Sequence, residues 1–391
     1  MTSETRPPLG EMLRFFLWLG AFGFGGPIAL VGYMEREVVD RRGWVTRQDF
    51  KDGIAFSQLA PGPLAAQLAI YLGWLCAGVR GATLVGVAFV GPSFVMVLAI
   101  AALYLRFGGM SWLEGAFYGI GAAVIAIIAR SAAKLARTSL GRDRLLWALF
   151  LIAAAVTVWT ESEIVWVFLA SGVVTLIARA GDPRLTGQRT SSWLILLGDR
   201  LASHPTLLTA TPAMPAVTAG ALFMYFAGAG LFVFGSGLAI VPFLHGGVVQ
   251  QYHWLTERQF LDAVAVALIT PGPVVITVAF IGYLVAGPLG ATAAAAGVFA
   301  PVYLITILLA PHYARWKANR GVRAFVDGVT AAATGAIAGA AIVLGKRALI
   351  DAPTVLIAIA TLGILLRVRR VPEPIVVVAA GVVGVTIRAI R

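Results

Sequence analysis

Two prolines bracket a glycine at Pro61-Gly62-Pro63, in the middle of an apolar run from Ile54 to Ala77. Proline lacks a backbone N–H and clashes with the preceding turn, so this tripeptide breaks any helix that contains it. Inside a bilayer, broken backbone is tolerated only where protein or a water-filled cavity satisfies the freed polar groups. The same tripeptide returns as Pro271-Gly272-Pro273, 210 residues later and again inside an apolar run. Few architectures accommodate this break twice.

Of the 391 residues, 59% are hydrophobic and only 12% are charged, where a soluble domain carries roughly 25% charge. Apolar stretches of about 20 residues recur along the chain, as helical membrane spans require. The expected fold class is therefore an all-α polytopic membrane protein in the inner or plasma membrane. A transmembrane β-barrel would show short alternating segments instead. The net charge of +12 fits Lys and Arg gathered in cytoplasmic loops, so no nucleic-acid partner is expected. Cys76 is the one cysteine, which excludes an intrachain disulfide and a cysteine metal site. Met1 to Arg14 carries both charge signs and no small-residue cleavage signal, so the first span is expected to direct insertion.

Twelve apolar segments fall into two groups of six: 15–34, 53–78, 82–105, 115–133, 145–160 and 164–178, then 218–244, 260–285, 289–311, 325–344, 353–366 and 374–388. The expected organisation is a transporter repeat over 1–179, a polar cytoplasmic linker over 180–217 and a second repeat over 218–391. At the 210-residue offset Trp44 faces Trp254, Asp52 faces Asp262, and Phe22-Gly23-Phe24-Gly25-Gly26 faces Phe232-Val233-Phe234-Gly235-Ser236. The loop 35–52 holds Arg36, Arg41, Arg42, Arg47 and Lys51, whereas its counterpart 245–262 holds only Arg258. This bias reverses farther along, with Arg315, Lys317, Arg320 and Arg323 facing Arg106. Such reversal predicts inverted-topology repeats. Inversion needs an odd number of crossings per half, so one segment of six must not cross. Taking the Pro-Gly-Pro segment as a re-entrant hairpin gives about ten crossings and both termini outside. If the first segment is the hairpin, the termini move inside.

Discontinuous helices near the bilayer midplane present unpaired N–H groups and the positive end of the helix dipole, whose natural ligand is an anion. The candidate binding residues are Gly23, Gly25, Gly26 and Pro27, then Pro61, Gly62 and Pro63, with Gly235, Ser236, Gly237, Pro271, Gly272 and Pro273 in the second half. Each Pro-Gly-Pro is expected to pair with the glycine-broken helix of its own half. Ser57, Gln58, Gln67, Thr270 and Thr277 flank the breaks as neutral donors. Glycines that serve only close packing, and hydroxyls bonded back to their own helix, are the competing structural readings. Glu35, Arg36, Glu37 and Arg42 are candidates for gating or coupling, and His245, at the repeat position of Glu35, for a titrating partner; a solvated loop is the alternative. Asp52 and Asp262 read as helix N-caps. No metal-ligand spacing, nucleotide-binding motif or nucleophile elbow is present, so neither a cofactor nor an enzymatic activity is expected, and a secondary transporter is favoured over a pump.

Together, Phe22-Gly23-Phe24-Gly25-Gly26-Pro27, Ala29, Glu35, Glu37-Val38-Val39, Arg42, Trp44, Pro61-Gly62-Pro63, Gln67 and Pro92-Ser93-Phe94 resemble the chromate ion transporter family, in its long two-domain form. A degenerate copy includes Thr270-Pro271-Gly272-Pro273, with Ser236-Gly237 in place of Gly26-Pro27. The resemblance implies membrane transport of chromate, usually efflux that confers resistance, with sulfate as the structural analogue. The bottom-up reading supports a tetrahedral oxyanion moved by alternating access in a monomer or homodimer. It does not separate chromate from sulfate.

Overall fold

The computed structural model describes residues 8–24, 26–107, 110–161, 165–180, 217–231, 233, 237, 240–313, 319–368 and 371–390. Among these the regular structure is helical throughout.

The first apolar segment is two helices. α1 (Leu9–Phe22) ends at Gly23 in extended backbone, and α2 (Gly26–Met34) begins at Gly26 with φ +72°. α2 continues into a π-helical turn, Glu35–Arg41. A Cβ on Gly23 would lie 2.7 Å from a Leu30 methyl and closer still to the Leu19 carbonyl, so only glycine fits. The chain reverses at this break, because Glu11 near the start of α1 pairs with Arg42 just past the π turn.

α3 (Arg47–Leu59) leads to Pro-Gly-Pro, where Gly62 has φ +141°, and α4 (Leu64–Phe107) follows. The chain folds back at the tripeptide. Phe56 stacks on Tyr71 at 5.5 Å, and a Cβ on Gly53 would sit 2.7 Å from the Tyr71 ring. A straight α4 would be about 66 Å long at 1.5 Å per residue, twice the apolar thickness of a bilayer. It is not straight. Ala77 and Gly78 leave helical geometry, and the two arms double back until a Cβ on Gly73 would lie 2.5 Å from the Gly81 carbonyl oxygen. α5 (Ser111–Leu140), α6 (Arg144–Thr160) and α7 (Val165–Ala180) follow.

The same devices recur at the offset read from the sequence. α8 (Ala219–Leu231) and α9 (Ile240–Leu244) precede a second π turn, His245–Gln251. Tyr225 of α8 lies 5.3 Å from Trp254 and its hydroxyl donates to the Phe243 carbonyl at 3.2 Å, so this segment also folds back. α10 (Glu257–Ile269) ends at the second Pro-Gly-Pro, with Gly272 at φ +93°. A 3₁₀ turn, Val274–Ile276, opens α11 (Thr277–Leu309). Its break at Ala286 (φ −144°, ψ 30°) matches Ala77 (φ −142°, ψ 27°). α12 (Arg320–Ala348), α13 (Ala352–Arg367) and α14 (Glu373–Ile390) complete the chain.

Asp52 and Asp262 are not N-caps. α3 and α10 start five residues before each aspartate, capped by Thr46 and Thr256, whose hydroxyls accept the N–H of Asp49 and Gln259. Asp262 is instead buried inside α10, and its Oδ2 accepts a hydrogen bond of 2.7 Å from the Tyr104 hydroxyl.

The outer helices of each sequence half pack on the other half. α13 and α14 lie on α5, while α6 and α7 lie on α12. Small residues allow this, as is usual where lipid supplies no hydrophobic drive between helices. Gly115 and Gly119 meet Gly384 and Ala380, and Gly335 and Gly339 meet Phe150 and Ala154. Ion pairs collect at two ends. At the first end are Glu35, Glu37, Asp40, Arg42 and Arg47, along with Arg130–Glu373 and Asp143–Arg179–Asp327. At the second are Glu114–Arg388 and the group His245, Glu257, Arg347 and Glu161. Trp112, Trp159 and Trp166 are exposed at this second end, as tryptophans are at a membrane interface.

Five helical runs among the described residues are long and apolar enough to cross a bilayer: 64–107, 111–140, 274–312, 320–348 and 373–390. Large apolar side chains such as Val87, Leu151, Leu308 and Val382 are exposed on them and on α6. The molecule is an all-α polytopic membrane protein. The start of α1 does not sit opposite the basic loop, as the outside-termini reading requires. Glu11 shares the end of Arg42, because the glycine break turns the chain around.

The packing at Gly119 generates a prediction. Gly119→Leu forces a side chain into the Ala380 carbonyl and is expected to cost about 1–3 kcal/mol, read as a lower melting temperature in detergent. Gly121→Ala, where nothing lies within 4 Å, is expected to melt like the parent.

Candidate functional site

The two Pro-Gly-Pro turns and the two glycine breaks meet in the interior, but in crossed order. The Gly62 N–H donates to the Val233 carbonyl at 2.6 Å, and the Gly272 N–H donates to the Gly23 carbonyl at 2.9 Å. Each turn therefore pairs with the broken helix of the opposite half, not of its own. α4 and α11 pack side by side and carry each turn across. A Cβ on Gly62 would meet Val302 of α11 at 2.9 Å, and one on Gly272 would collide with Ser93 of α4. Pro63, Pro271 and Pro273 are buried, and Pro61 is partly exposed.

This crossing changes which donors remain open to an anion, since the two glycine amides are already bonded. α4 begins directly after Pro63, and its first helical bond is Gln67 N–H to the Pro63 carbonyl at 3.0 Å. The amides of Leu64, Ala65 and Ala66 thus have no acceptor within the helix. All three residues are buried and carry the positive end of the helix dipole. α2 starts likewise at Gly26 and Pro27, both partly exposed.

Gln67 is fully buried. Its Nε2 donates to the Pro61 carbonyl at 2.7 Å, while its Oε1 is a buried acceptor without a hydrogen-bond partner. The flanking hydroxyls are bonded back to their own helices: Ser57 to the Gly53 carbonyl, Thr270 to Val266 and Thr277 to Val274, at 2.8–2.9 Å. Gln58 is exposed, and Gly237 is buried beside Val275. Gly25, Gly235 and Ser236 lie outside the described residues. Ser93 was missed as a site residue. It is fully buried, and its hydroxyl donates to the Gly20 carbonyl at 3.1 Å. The signal was its position after Pro92 in a long helix, repeated as Val302 after Pro301.

The residues expected at a gate form a salt-bridge network at the first end. Glu37 accepts from Arg41 at 2.9 Å and from Arg42 at 2.6 Å, while Arg47 reaches Asp40 at 2.6 Å and Glu35 at 3.3 Å. Arg42 also lies over Trp44, and Arg36 over Tyr33. His245 is buried at the second end, with Nε2 2.9 Å from Glu257. Burial, with the Arg347 guanidinium, pushes it down to about 4. The imidazole is neutral near pH 7 and donates to the carboxylate, so it does not titrate in the physiological range as expected.

The chromate transporter family profile matches residues 10–176 and again residues 220–385. The chain belongs to the chromate transporter family. A chromate transport protein of Cupriavidus metallidurans is 54% identical over 380 residues, covering 96% of this chain and 92% of that protein. A probable chromate transport protein of Synechococcus elongatus is 49% identical, covering 96% and 95%. One from Pseudomonas aeruginosa is 31% identical, covering 88% and 83%. No solved structure matches. As a chromate transporter family member the chain is a multi-pass cell-membrane protein and a transporter, not an enzyme. Among its described residues no group of three or more His, Cys, Asp or Glu could hold a metal ion.

Two outcomes are expected of this family member. Gly272→Ala places a Cβ on Ser93 at a positive φ, so anion flux into proteoliposomes is expected to fall to background while the protein still inserts. At His245 the folded value of about 4 lies below the ordinary 6.5. Between the two, the unfolded chain binds more protons, so stability falls as pH drops through that window and is unaffected above it. His245→Gln is expected to flatten the loss of melting temperature between pH 6.5 and 4.

Proposed function

We propose that this chain is a secondary transporter of chromate, working as an efflux system by alternating access around a site where the broken helices of two inverted repeats meet. The observation that carries the reading is the crossed pair of backbone bonds, Gly62 to Val233 and Gly272 to Gly23. Backbone breaks from both halves converge there, and buried first-turn amides at Leu64 to Ala66 lie beside one of them. Relatives named as chromate transport proteins supply the substrate class. The open Gln67 Oε1 favours a ligand that brings a hydrogen. Chromate takes up a proton near neutral pH and sulfate does not, so this acceptor favours chromate between the two. Glu35, Arg36, Glu37 and Arg42 then form the charged rim through which the anion passes at the first end, with His245 a neutral strut at the second.

The repeats in this reading are 1–179 and 218–391. Their opposite orientation is supported by the two π turns, which lie among ion pairs at opposite ends. The excess of basic residues makes the first end cytoplasmic. The first two segments of each half fold back as short hairpins, too short in each arm to span about 30 Å of hydrocarbon.

Radiotracer chromate uptake into inverted vesicles tests the proposal. Uptake that responds to a pH gradient and is lost in Pro61→Ala and Gly62→Leu is the expected result. Competition by excess sulfate equal to that by unlabelled chromate would transfer the reading to a general oxyanion carrier. Unchanged flux in both variants would overturn the site.

A further inference from the structure

Asp262 is a carboxylate inside a membrane segment, 3% exposed, at a position the binding site does not use. Ionisable groups at such depth are costly and rare, and they pair with a partner or line an ion path. Asp262 does both. Its Oδ2 accepts from the Tyr104 hydroxyl at 2.7 Å. It also lines a cavity of about 140 Å³ with Tyr104, Leu113, Glu114, Phe117 and Arg258, room for a few waters at about 30 Å³ each.

The charged and titratable groups around it come from every packed element. Tyr104 comes from α4, held edge-on by Phe280 of α11 at 5.3 Å. Glu114 comes from α5 and Arg388 from α14. Arg258 precedes Asp262 by one turn on α10. Glu114 draws both arginines, Arg388 at 2.6 Å and Arg258 at 3.8 Å. From the π turn, His245 faces Glu257 and Phe260, a turn away on the same helix. Asp262 thus accepts from a neutral phenol beside a polar cavity, with Arg258 one turn away drawn toward Glu114.

The helices joined by this bond give it leverage. α10 runs from Asp262 directly into Pro271-Gly272-Pro273, and α4 carries both Tyr104 and Ser93. The Asp262–Tyr104 bond is therefore a second clasp between the two helices that meet at Gly272 and Ser93.

We propose that Asp262 is a proton-binding site that couples proton movement to substrate movement, reached from the second end through the cavity formed with Glu114 and Arg258. The inference rests on the transport reading above. One proton from cavity water forms one O–H bond on the carboxylate, whose charge goes from −1 to zero. Tyr104 keeps its own proton throughout, and nothing is oxidised or reduced. The charged carboxylate holds Tyr104 and keeps α10 against α4. The protonated form holds it less strongly and frees α10 to move.

The test uses the purified full chain in two measurements. In infrared difference titration without any anion, a carboxylic acid band is expected to titrate in the parent, vanish in Asp262→Asn and shift its midpoint upward in Tyr104→Phe, which removes a hydrogen bond to the charged form. In proteoliposomes with an internal pH dye, the parent is expected to move protons with chromate. Asp262→Asn is expected to lose that proton signal and the response to a pH gradient but keep chromate counterflow, while Asp262→Glu keeps coupling. A band that persists in Asp262→Asn, or an unchanged proton signal in that variant, overturns the proposal. If the parent shows no chromate counterflow, the transport reading fails, and the infrared band alone decides whether Asp262 binds a proton.

Discussion

Gly62 and Gly272 each hand one backbone N–H to a carbonyl of the opposite half, and much of the fold is arranged so that these two bonds can form. Proline on either side makes each glycine the only donor of its tripeptide. Gly23 and Val233 supply carbonyls at the places where α1 and α8 break off. A buried polar group left unpaired costs about 1–3 kcal/mol, and lipid offers it no alternative partner. Four breaks in apolar surroundings would be prohibitive if left open, and the crossed bonds satisfy one group at each of them. Glycine is required at 62 and 272 twice over. Both have positive φ, and neighbouring side chains, Val302 and Ser93, leave no room for a Cβ.

The crossing also explains why the halves do not behave as separable domains. Their outer helices are exchanged, with α13 and α14 on α5 and α6 and α7 on α12, through glycines that admit backbone against backbone. Such interfaces are dry and closely fitted, and interiors of that kind switch between discrete arrangements more readily than they deform. The inner hairpins are held as closely, with Gly20 against the Phe89 carbonyl, Gly230 against Val298 and Gly297 against Phe223, beside the crossed backbone bonds and the Tyr104 clasp.

Much of this was legible in the residues. The Pro-Gly-Pro pair and the 210-residue period located the broken segments and the fold-back at each tripeptide, but neither π turn. The caps are legible too. Thr46 with Asp49 and Thr256 with Gln259 have the spacing of a capping box, so both helices start before the aspartates that were read as caps. The partner of each tripeptide was not legible, because own-half and cross-half pairing produce the same local sequence. The reversal of the first segment brings Glu11 to Arg42 across 31 residues, a contact no periodicity reveals. Nor does composition say whether a threonine hydroxyl faces a site or its own helix. Here Thr270 and Thr277 both turn back.

The two copies share a backbone but not an environment. Glu37 stands in an exposed salt-bridge network, whereas its repeat partner Gly247 is buried against the Tyr225 ring, where a Cβ would strike the hydroxyl. That glycine lets Tyr225 join Phe243, Tyr252 and Trp254 in one aromatic cluster. Among the described residues no such cluster forms at the first end, where Phe15 occupies the position of Tyr225 and charges occupy the loop. α10 is correspondingly buried along most of its length, while α3 is partly exposed. An inverted pair with identical halves would have two mirror-related states of equal energy. An aromatic cluster beside the second end's ion pairs, against a first end held by ion pairs around Glu37 and Arg47, makes the two copies unequal and removes that degeneracy.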